Sequence, residues 1–270
     1  MNEDITVVVT SFNYGAYLEE AVASALGQSG GPPRVIVVDD GSTDSETPES
    51  LERLPVEVEV VRQRNQGVSA ARNTGLARAT TPFVLLLDAD DRLAPDALAA
   101  LRPPLAEDPR VGFSYGLTVF FGEWEGILRF PPYDPYRLLY RNLVGLSALM
   151  RREVFEITGG FDASFRNYGD WEFWLHALAC GWQGVQVNSV TLEYRRHTGS
   201  MWDRRKYRDA FAAIRRKHAG LYQDSSALAK QSELGPAGRL TYRLFWGLRP
   251  IPVFLERRLQ AAHWRRRSHG

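Results

Sequence analysis

The stretch Phe83-Val84-Leu85-Leu86-Leu87-Asp88-Ala89-Asp90-Asp91 has five consecutive apolar residues followed by three carboxylates within four positions. Such an apolar run predicts a strand buried on both faces of a parallel sheet. The carboxylates cannot stay in that core, so they emerge at the carboxyl edge of the sheet, where open α/β folds bind ligands. Clustered carboxylates raise one another's pKa unless a cation lies among them, and hard oxygen ligands suit Mg²⁺ or Mn²⁺. The stretch predicts a metal and a phosphate-bearing ligand or, alternatively, an acidic cap on a helix that begins near Pro95.

The segments before this stretch repeat a pattern of strand and helix. Strands are predicted over 5–11, 35–38 and about 56–62, and helices over about 17–28 and 69–79. Four βα repeats in the first 105 residues predict a doubly wound sheet flanked by helices. After residue 109 the pattern becomes shorter and less regular. It predicts strands over 111–121 and 147–150, helices over 136–143 and 170–180, short strands around Val185 and Leu192, and a helix over 202–218.

The net charge of +1 conceals an asymmetry between the two parts of the chain. Residues 195–270 hold 18 Lys and Arg against five Asp and Glu, whereas the preceding residues hold 15 against 27. A basic C-terminal part predicts an anionic neighbour. The single cysteine, Cys180, excludes an intramolecular disulfide and suits a reducing compartment.

Five motifs occur in the order and spacing of one known family. They are Val9-Thr10-Ser11-Phe12-Asn13, Val37-Val38-Asp39-Asp40-Gly41-Ser42-Thr43-Asp44, Asn65-Gln66-Gly67 leading to Ala71-Arg72-Asn73, Leu87-Asp88-Ala89-Asp90-Asp91, and Gly159-Gly160-Phe161-Asp162 leading to Asp170-Trp171-Glu172. Together they resemble the inverting family 2 glycosyltransferases of the GT-A fold, over about residues 4–215. The resemblance implies an α/β fold with a Rossmann-like, mostly parallel sheet and a nucleotide-sugar donor at its carboxyl edge.

The resemblance also implies roles for individual residues. Asp170 matches the catalytic base. The residues implied in nucleotide binding are Thr10, Ser11, Phe12, Asp39, Asp40, Arg72, Asp88 and Ala89. Those implied in metal binding are Asp88, Asp90, Asp91 and His197, with Asp91 as an alternative direct ligand because three acids compete for two roles. Asp40 would accept a hydrogen bond from the uracil imide, so a UDP-sugar is expected and a dTDP-sugar is the alternative.

The chemistry of sugar transfer accounts for acids in two places. Inversion needs a carboxylate that deprotonates the acceptor hydroxyl, and the leaving diphosphate needs its charge neutralised. The acids of 88–91 and Asp170, about eighty residues later, meet these needs. Glycoside hydrolysis also uses two carboxylates, but without a nucleotide pocket and a metal cluster. A non-catalytic nucleotide-sugar binding protein and a sugar-phosphate nucleotidyltransferase are the alternatives, although no Gly-rich phosphate loop follows the first strand.

We therefore expect a GT-A catalytic domain over 1–220 and a basic, amphipathic helical extension over 221–270. The expected partners are Mn²⁺ or Mg²⁺, a nucleotide-sugar donor and a saccharide or lipid-linked acceptor, without nucleic acid. No signal peptide is visible, and no apolar run approaches the ~18 residues that span a bilayer, so a cytoplasmic location is expected. The extension is expected to contact the inner face of the cytoplasmic membrane or, alternatively, to pack on the catalytic domain or a second subunit.

Overall fold

The computed structural model describes residues 2–123, 125–128, 130–197 and 207–248. The strands in these ranges are β1 Ile5–Ser11, β2 Arg34–Asp39, β3 Glu59–Arg62, β4 Phe83–Asp88, β5 Arg92–Leu93, β6 Val111–Gly122, β7 Gly126–Leu128, β8 Leu149–Arg151 and β9 Gln183–Arg196. The helices are α1 Gly15–Leu26, α2 Glu46–Arg53, α3 Val68–Arg78, α4 Ala97–Glu107, α5 Pro135–Leu138, α6 Arg152–Thr158, α7 Gly169–Ala179, α8 Tyr207–Lys217, α9 Ala219–Gln223, α10 Ser225–Gln231 and α11 Pro236–Tyr242, followed by a π-helix, Arg243–Leu248.

These strands form one sheet in the order β3-β2-β1-β4-β8-β6-β9-β5, with β7 paired to β6. The first four strands are parallel, and the chain moves to the opposite side of β1 when it reaches β4. A reversal of strand order opens a crevice at the carboxyl edge, and this one lies between β1 and β4. The register places Thr10 opposite Asp88 and Ser11 opposite Asp39. The predicted α/β fold is confirmed, and the folding chain brings three of its motifs to one edge.

The second half of the sheet differs from the sequence-based expectation. β8 is antiparallel to both β4 and β6, so the sheet is mixed beyond β4. The two short strands predicted around Val185 and Leu192 are one strand, β9, which pairs with β6 through three register irregularities. Helix α2 was not predicted because its sequence is mostly polar. It begins where the Asp44 carboxylate accepts hydrogen bonds from the amide and hydroxyl of Thr47, at 2.6 and 2.8 Å.

The sheet separates two apolar cores. Along β1, Val7 and Val9 join one core with α1 and α4, while Val8 joins the other with α3, α6 and α7. Successive side chains of a strand point to opposite faces, so a strand covered on both sides reads as an unbroken apolar run. This explains why β1, β2 and β4 were visible in the sequence.

The described part of the predicted C-terminal extension packs on the segment that contains α5. Tyr222 donates a hydrogen bond to the carbonyl of Leu139 at 2.6 Å, and the Arg141 guanidinium lies 4.3 Å from the ring centroid of Trp246. The boundary at residue 220 stays a prediction. The apolar and basic residues predicted to meet a bilayer from 249 onward lie outside the described residues. Among those described, no helix is long and apolar enough to cross a membrane.

Candidate active site

The first part of the site lies where β1 and β4 end. The Thr10 hydroxyl donates to Asp88 at 3.3 Å, and the Arg72 guanidinium, from α3, donates to both carboxylate oxygens of Asp88 at 3.0 and 3.3 Å. Ala89 is buried, and its amide bonds the Thr10 carbonyl. A buried arginine therefore balances the charge of the first acid in the β4 motif.

The acids that follow β2 organise the neighbouring loops. Asp39 accepts hydrogen bonds from the amide and hydroxyl of Ser42, at 3.0 and 2.6 Å. Asp40 accepts three hydrogen bonds from the loop between β3 and α3, given by the Gln63 side chain and the amides of Gln66 and Gly67 at 2.7 to 2.9 Å. A carboxylate has about four acceptor positions, so each aspartate retains capacity for a ligand.

Two residues at the end of β1 differ from these acids in their surroundings. Ser11 is buried, and its hydroxyl makes no hydrogen bond within the described residues. Phe12 is 41% exposed, which is unusual for a phenylalanine. An orphaned buried hydroxyl beside an exposed ring is an arrangement that a flat heterocyclic ligand would satisfy.

The remaining acids of the β4 motif point to β9 and to the segment after it. Asp90 lies 3.1 Å from Nε2 of His197. Burial and the neighbouring charge of Asp88 raise the pKa of Asp90. Asp91 accepts a hydrogen bond from the amide of Arg195 at 2.8 Å, and burial raises its pKa well above the usual range. Asp90 and His197 thus come together, whereas Asp91 is turned toward β9.

The described residues do not contain a ready-made metal cage. No group of three or more His, Cys, Asp or Glu side chains within them has the arrangement of a metal site. The His197 ring contacts the rings of Tyr14 and Tyr17, with centroid distances of 5.8 and 5.4 Å. Burial first, and then the charges of Asp90 and Asp88, raise the pKa of Tyr14 to about 12, so its hydroxyl is a neutral donor.

Asp170 lies in the first turn of α7, within the electrostatic influence of Arg72. Its Oδ2 accepts a hydrogen bond from the Asn142 side chain at 2.8 Å. Burial raises the pKa of Asp170, and the positive charge of Arg72 lowers it in part. Tyr168, the residue before α7, has a left-handed φ of 59°, which ends the loop before that helix. Arg72 therefore acts on both acidic centres, and the two face a common region.

A contact between α3 and the loop before α7 fixes their separation. The Asn73 side chain donates to the carbonyl of Phe161 and accepts from its amide, both at 2.8 Å. Gly160 has a φ of 91°, and a Cβ there would lie 2.5 Å from the Asn73 oxygen. Glycine is required at this position because the helix approaches the backbone so closely.

The other two acids of the Gly159–Glu172 region serve a different structure. Glu172 is fully buried and accepts hydrogen bonds from His218 and Lys217, both at 2.8 Å. Asp162 also binds Lys217, at 2.7 Å. Residues two apart on a helix do not face each other, so Glu172 points to α8 while Asp170 points to the cleft. We refer to Asp162, Glu172, Lys217 and His218 as the α7–α8 ion cluster.

Several side chains that contact the candidate site residues were not predicted from the sequence. Asn142 precedes Asp170 by 28 positions. Gln63, Tyr14 and Tyr17 were likewise not singled out, since no local motif contains them. Their roles follow only from the tertiary contacts.

Two protein-family profiles match this chain. The profile described as "Glycosyl transferase family 2" matches residues 6–162, and the profile described as "Glycosyltransferase like family 2" matches residues 140–227. The chain belongs to glycosyl transferase family 2. The predictions of this family, and of a glycosyltransferase as its class, are confirmed.

Individual relatives of this family 2 chain extend the comparison. It is 38% identical over 273 residues to the succinoglycan biosynthesis protein ExoO of Rhizobium meliloti, covering 93% of this chain and 76% of ExoO. It is 34% identical over 121 residues to the uncharacterized glycosyltransferase alr2836 of Nostoc, covering 44% of this chain and 38% of that protein. The glycosyltransferase GlyA of Streptococcus pneumoniae is 33% identical over 135 residues, which is 48% of this chain and 19% of GlyA. The chain thus spans well under half the length of the latter two.

Solved structures show the same fold as this family 2 chain. TarS of S. aureus (residues 1–349), in complex with UDP-GlcNAc, has a TM-score of 0.66 at 18% identity, covering 89% of this chain and 72% of that one. The mannosyltransferase PcManGT of Pyrobaculum calidifontis, in complex with GDP-Man and Mn²⁺, has a TM-score of 0.58 at 22% identity, covering 90% and 69%. At such identities the likeness establishes the GT-A-like fold alone.

Proposed function

We propose that this protein transfers a sugar from a nucleotide diphosphate donor to a hydroxyl group by an inverting, metal-assisted single displacement. The observation that carries the proposal is that Arg72 bonds Asp88 and also acts electrostatically on Asp170. Displacement with inversion needs a leaving-group centre and a base in one cleft. Family membership supports the nucleotide-sugar donor.

The donor is proposed to be a UDP-sugar, with a dTDP-sugar as the alternative. Asp40 and Asp39 are the acceptors for the base, because each keeps acceptor capacity beyond its loop contacts. The orphaned hydroxyl of Ser11 and the exposed ring of Phe12 are the groups on which the base would rest. Thr10, Asp88, Ala89 and Arg72 form the side of the crevice next to the phosphates.

The residues around Asp90 have donor atoms that suit a divalent cation, although the described side chains are not arranged as a metal site. Asp88, Asp90 and His197 offer carboxylate oxygens and an imidazole, which Mn²⁺ and Mg²⁺ accept. Burial beside Asp88 disfavours the ionised form of Asp90, and a cation would offset that cost. Asp91 would serve only after giving up its bond to Arg195. A metal ion bound there would neutralise the negative charge that develops on the leaving diphosphate.

Asp170 is proposed as the general base. Asn142 donates a hydrogen bond to Oδ2, and we assign Oδ1 as the atom that accepts the proton of the acceptor hydroxyl. Its raised pKa moves the carboxylate toward the range in which a base works near neutral pH. The positive charge of Arg72 opposes a larger rise of this pKa and favours the ionised form.

The acceptor is proposed to be a saccharide or a lipid-linked glycan. The relative ExoO is named a succinoglycan biosynthesis protein, which supports a saccharide acceptor. We assign the transfer reaction to a domain over residues 1–220, with the extension over 221–270 contacting an anionic bilayer. Flotation of the full chain and of a chain ending at Gly235 with anionic liposomes tests the second part. Equal partitioning of the two chains at low salt would contradict it.

A screen of donors tests the proposed function. UDP-GlcNAc, UDP-glucose, a dTDP-sugar and GDP-mannose are each added with Mn²⁺ or with chelator while the unfolding temperature is followed. A donor at 100 times its Kd adds about 2.7 kcal/mol, which corresponds to about 5–11 °C for a chain of this size. We expect a metal-dependent shift with a uridine donor, followed by release of UDP when acceptors are supplied. Binding without turnover on any acceptor would favour a non-catalytic binding protein, and binding of GDP alone would overturn the pyrimidine assignment.

A further inference from the structure

A second cavity lies outside the cleft, between the segment after α5 and the C-terminal helices. Its volume is about 350 Å³. Six of its lining residues matter here: Tyr140, Arg215, Tyr222, Leu240, Arg243 and Leu244. Gly247 also lines it, and a Cβ there would lie 3.1 Å from the Tyr140 ring. None of these residues belongs to the candidate active site.

The polar side of the cavity carries two positive charges that are not paired with an acid from the described residues. Neither Arg215 nor Arg243 forms an ion pair with any residue in the described part of the chain. The Arg215 guanidinium lies over the rings of Phe211 and Tyr222, with centroid distances of 5.8 and 5.4 Å. Burial raises the pKa of Tyr140 to about 12, and the charges of both arginines act on its hydroxyl in the opposite direction. Two guanidinium groups and a phenol therefore converge on one region.

The other side of the cavity is apolar and open. Leu240 and Leu244 are separated by one helical turn, and they are 57% and 45% exposed. Large aliphatic side chains this exposed, beside two aromatic rings, favour a ligand that brings hydrocarbon of its own. The cavity is thus chemically divided into a cationic half and an apolar half.

The charge of the cavity decides between occupants. Residues 249–270 contain six arginines and one glutamate, so their composition does not supply the negative charge that two guanidinium groups favour. A volume near the lower end of ligand pockets accommodates a small anionic group and the first part of a chain, not a folded partner. Phospholipids with an anionic headgroup combine these features, because a phosphate and hydrocarbon chains are joined in one molecule.

We propose that this cavity is a binding site for a single anionic phospholipid, with the phosphate between Arg215 and Arg243 and the first part of the acyl chains against Leu240 and Leu244. The site is separate from the sugar-transfer cleft and does not depend on the donor or the acceptor. It differs from a diffuse attraction of a basic tail to a bilayer, because it is saturable and specific to two arginines.

Titration calorimetry with short-chain lipids below their critical micelle concentration tests the proposal. The probes are dihexanoyl phosphatidylglycerol, dihexanoyl phosphatidylcholine and inorganic phosphate, added to the full chain. We expect saturable binding of one phosphatidylglycerol, and weaker binding of the other two probes. The double variant Arg215→Gln with Arg243→Gln should bind phosphatidylglycerol about 30-fold more weakly.

Two further double variants control the experiment. Arg216→Gln with Lys230→Gln removes the same charge from exposed positions on α8 and α10 that do not line the cavity, and should bind as the unmodified chain does. Arg215→Lys with Arg243→Lys keeps the charge and should retain most of the affinity. Equal weakening by the two glutamine pairs, binding that does not saturate, or inorganic phosphate binding as tightly as the lipid would each overturn the proposal.

Discussion

Replacement of Glu172 by leucine tests whether the acids of the α7–α8 ion cluster have a structural role that is separate from the role proposed for Asp170. Glu172 is fully buried, and the change leaves Lys217 and His218 without their shared partner. Removing one side of a buried ion pair costs about 3–5 kcal/mol. Lys217 is 33% exposed and keeps its bond to Asp162, so we expect the lower end, about 3 kcal/mol. For a chain of this size that lowers the unfolding temperature by about 6–12 °C.

Urea unfolding followed by circular dichroism measures this loss. Glu172→Gln keeps a neutral acceptor oxygen and should lose less, while Glu107→Leu, at an exposed position of α4, should change stability by about 0.5 kcal/mol or less. Donor binding should persist in every folded variant. A loss below about 1 kcal/mol for Glu172→Leu would refute the reasoning from the α7–α8 ion cluster.

The same cluster predicts a dependence of stability on pH. Burial by itself raises the pKa of Glu172, but the hydrogen bonds and charges of His218 and Lys217 outweigh it, and the net pKa lies below the ordinary value of 4.5. A depressed pKa contributes stability that is present above the unfolded-state pKa and is lost as the pH falls through the folded-state pKa. The difference between the unmodified chain and Glu172→Leu should therefore shrink below about pH 4. A difference that grows in acid would contradict this assignment.

The remaining predictions concern the cleft. Asp170→Asn should reduce turnover by a factor of about 10² to 10⁴ with donor affinity nearly unchanged. Nucleotide release measures turnover, and calorimetry measures donor affinity. Near-normal turnover would show that Asp170 is not the base. Asn142→Leu removes a hydrogen bond that favours ionised Asp170, so its pKa rises and the acidic limb of the kcat profile should move to higher pH; an unmoved limb would contradict this. A chelator should abolish turnover, and added Mn²⁺ or Mg²⁺ should restore it. Asp90→Asn should lose most of the turnover. Full activity in excess chelator would exclude a metal from the mechanism.

Features that depend on short stretches of chain were predictable from the sequence. Strands β1, β2 and β4 are buried on both faces, so their apolar runs are continuous, and the acids after β2 and β4 must reach the same edge. The sequence alone therefore predicts that a crevice lies at this edge of the sheet. Helix α2 escaped notice because few of its residues are buried, and its start depends on Asp44.

Features that depend on distant parts of the chain were not predictable. Asp170 and Glu172 lie two positions apart in one motif, and only the position of α8 shows that Glu172 binds Lys217 and His218. Likewise, Asp91 is separated from the metal candidates by its bond to Arg195, 104 residues away. No local pattern encodes which acid of a run meets a later strand.

The paired hydrogen bonds between Asn73 and Phe161 have a consequence for how a substrate is received. They join the helix that carries Arg72 to the loop that precedes Asp170, and Gly160 permits their close approach. The conformational entropy of that junction is therefore lost when the chain folds. Binding energy from donor and acceptor is then not consumed in setting the distance between the two sides of the cleft.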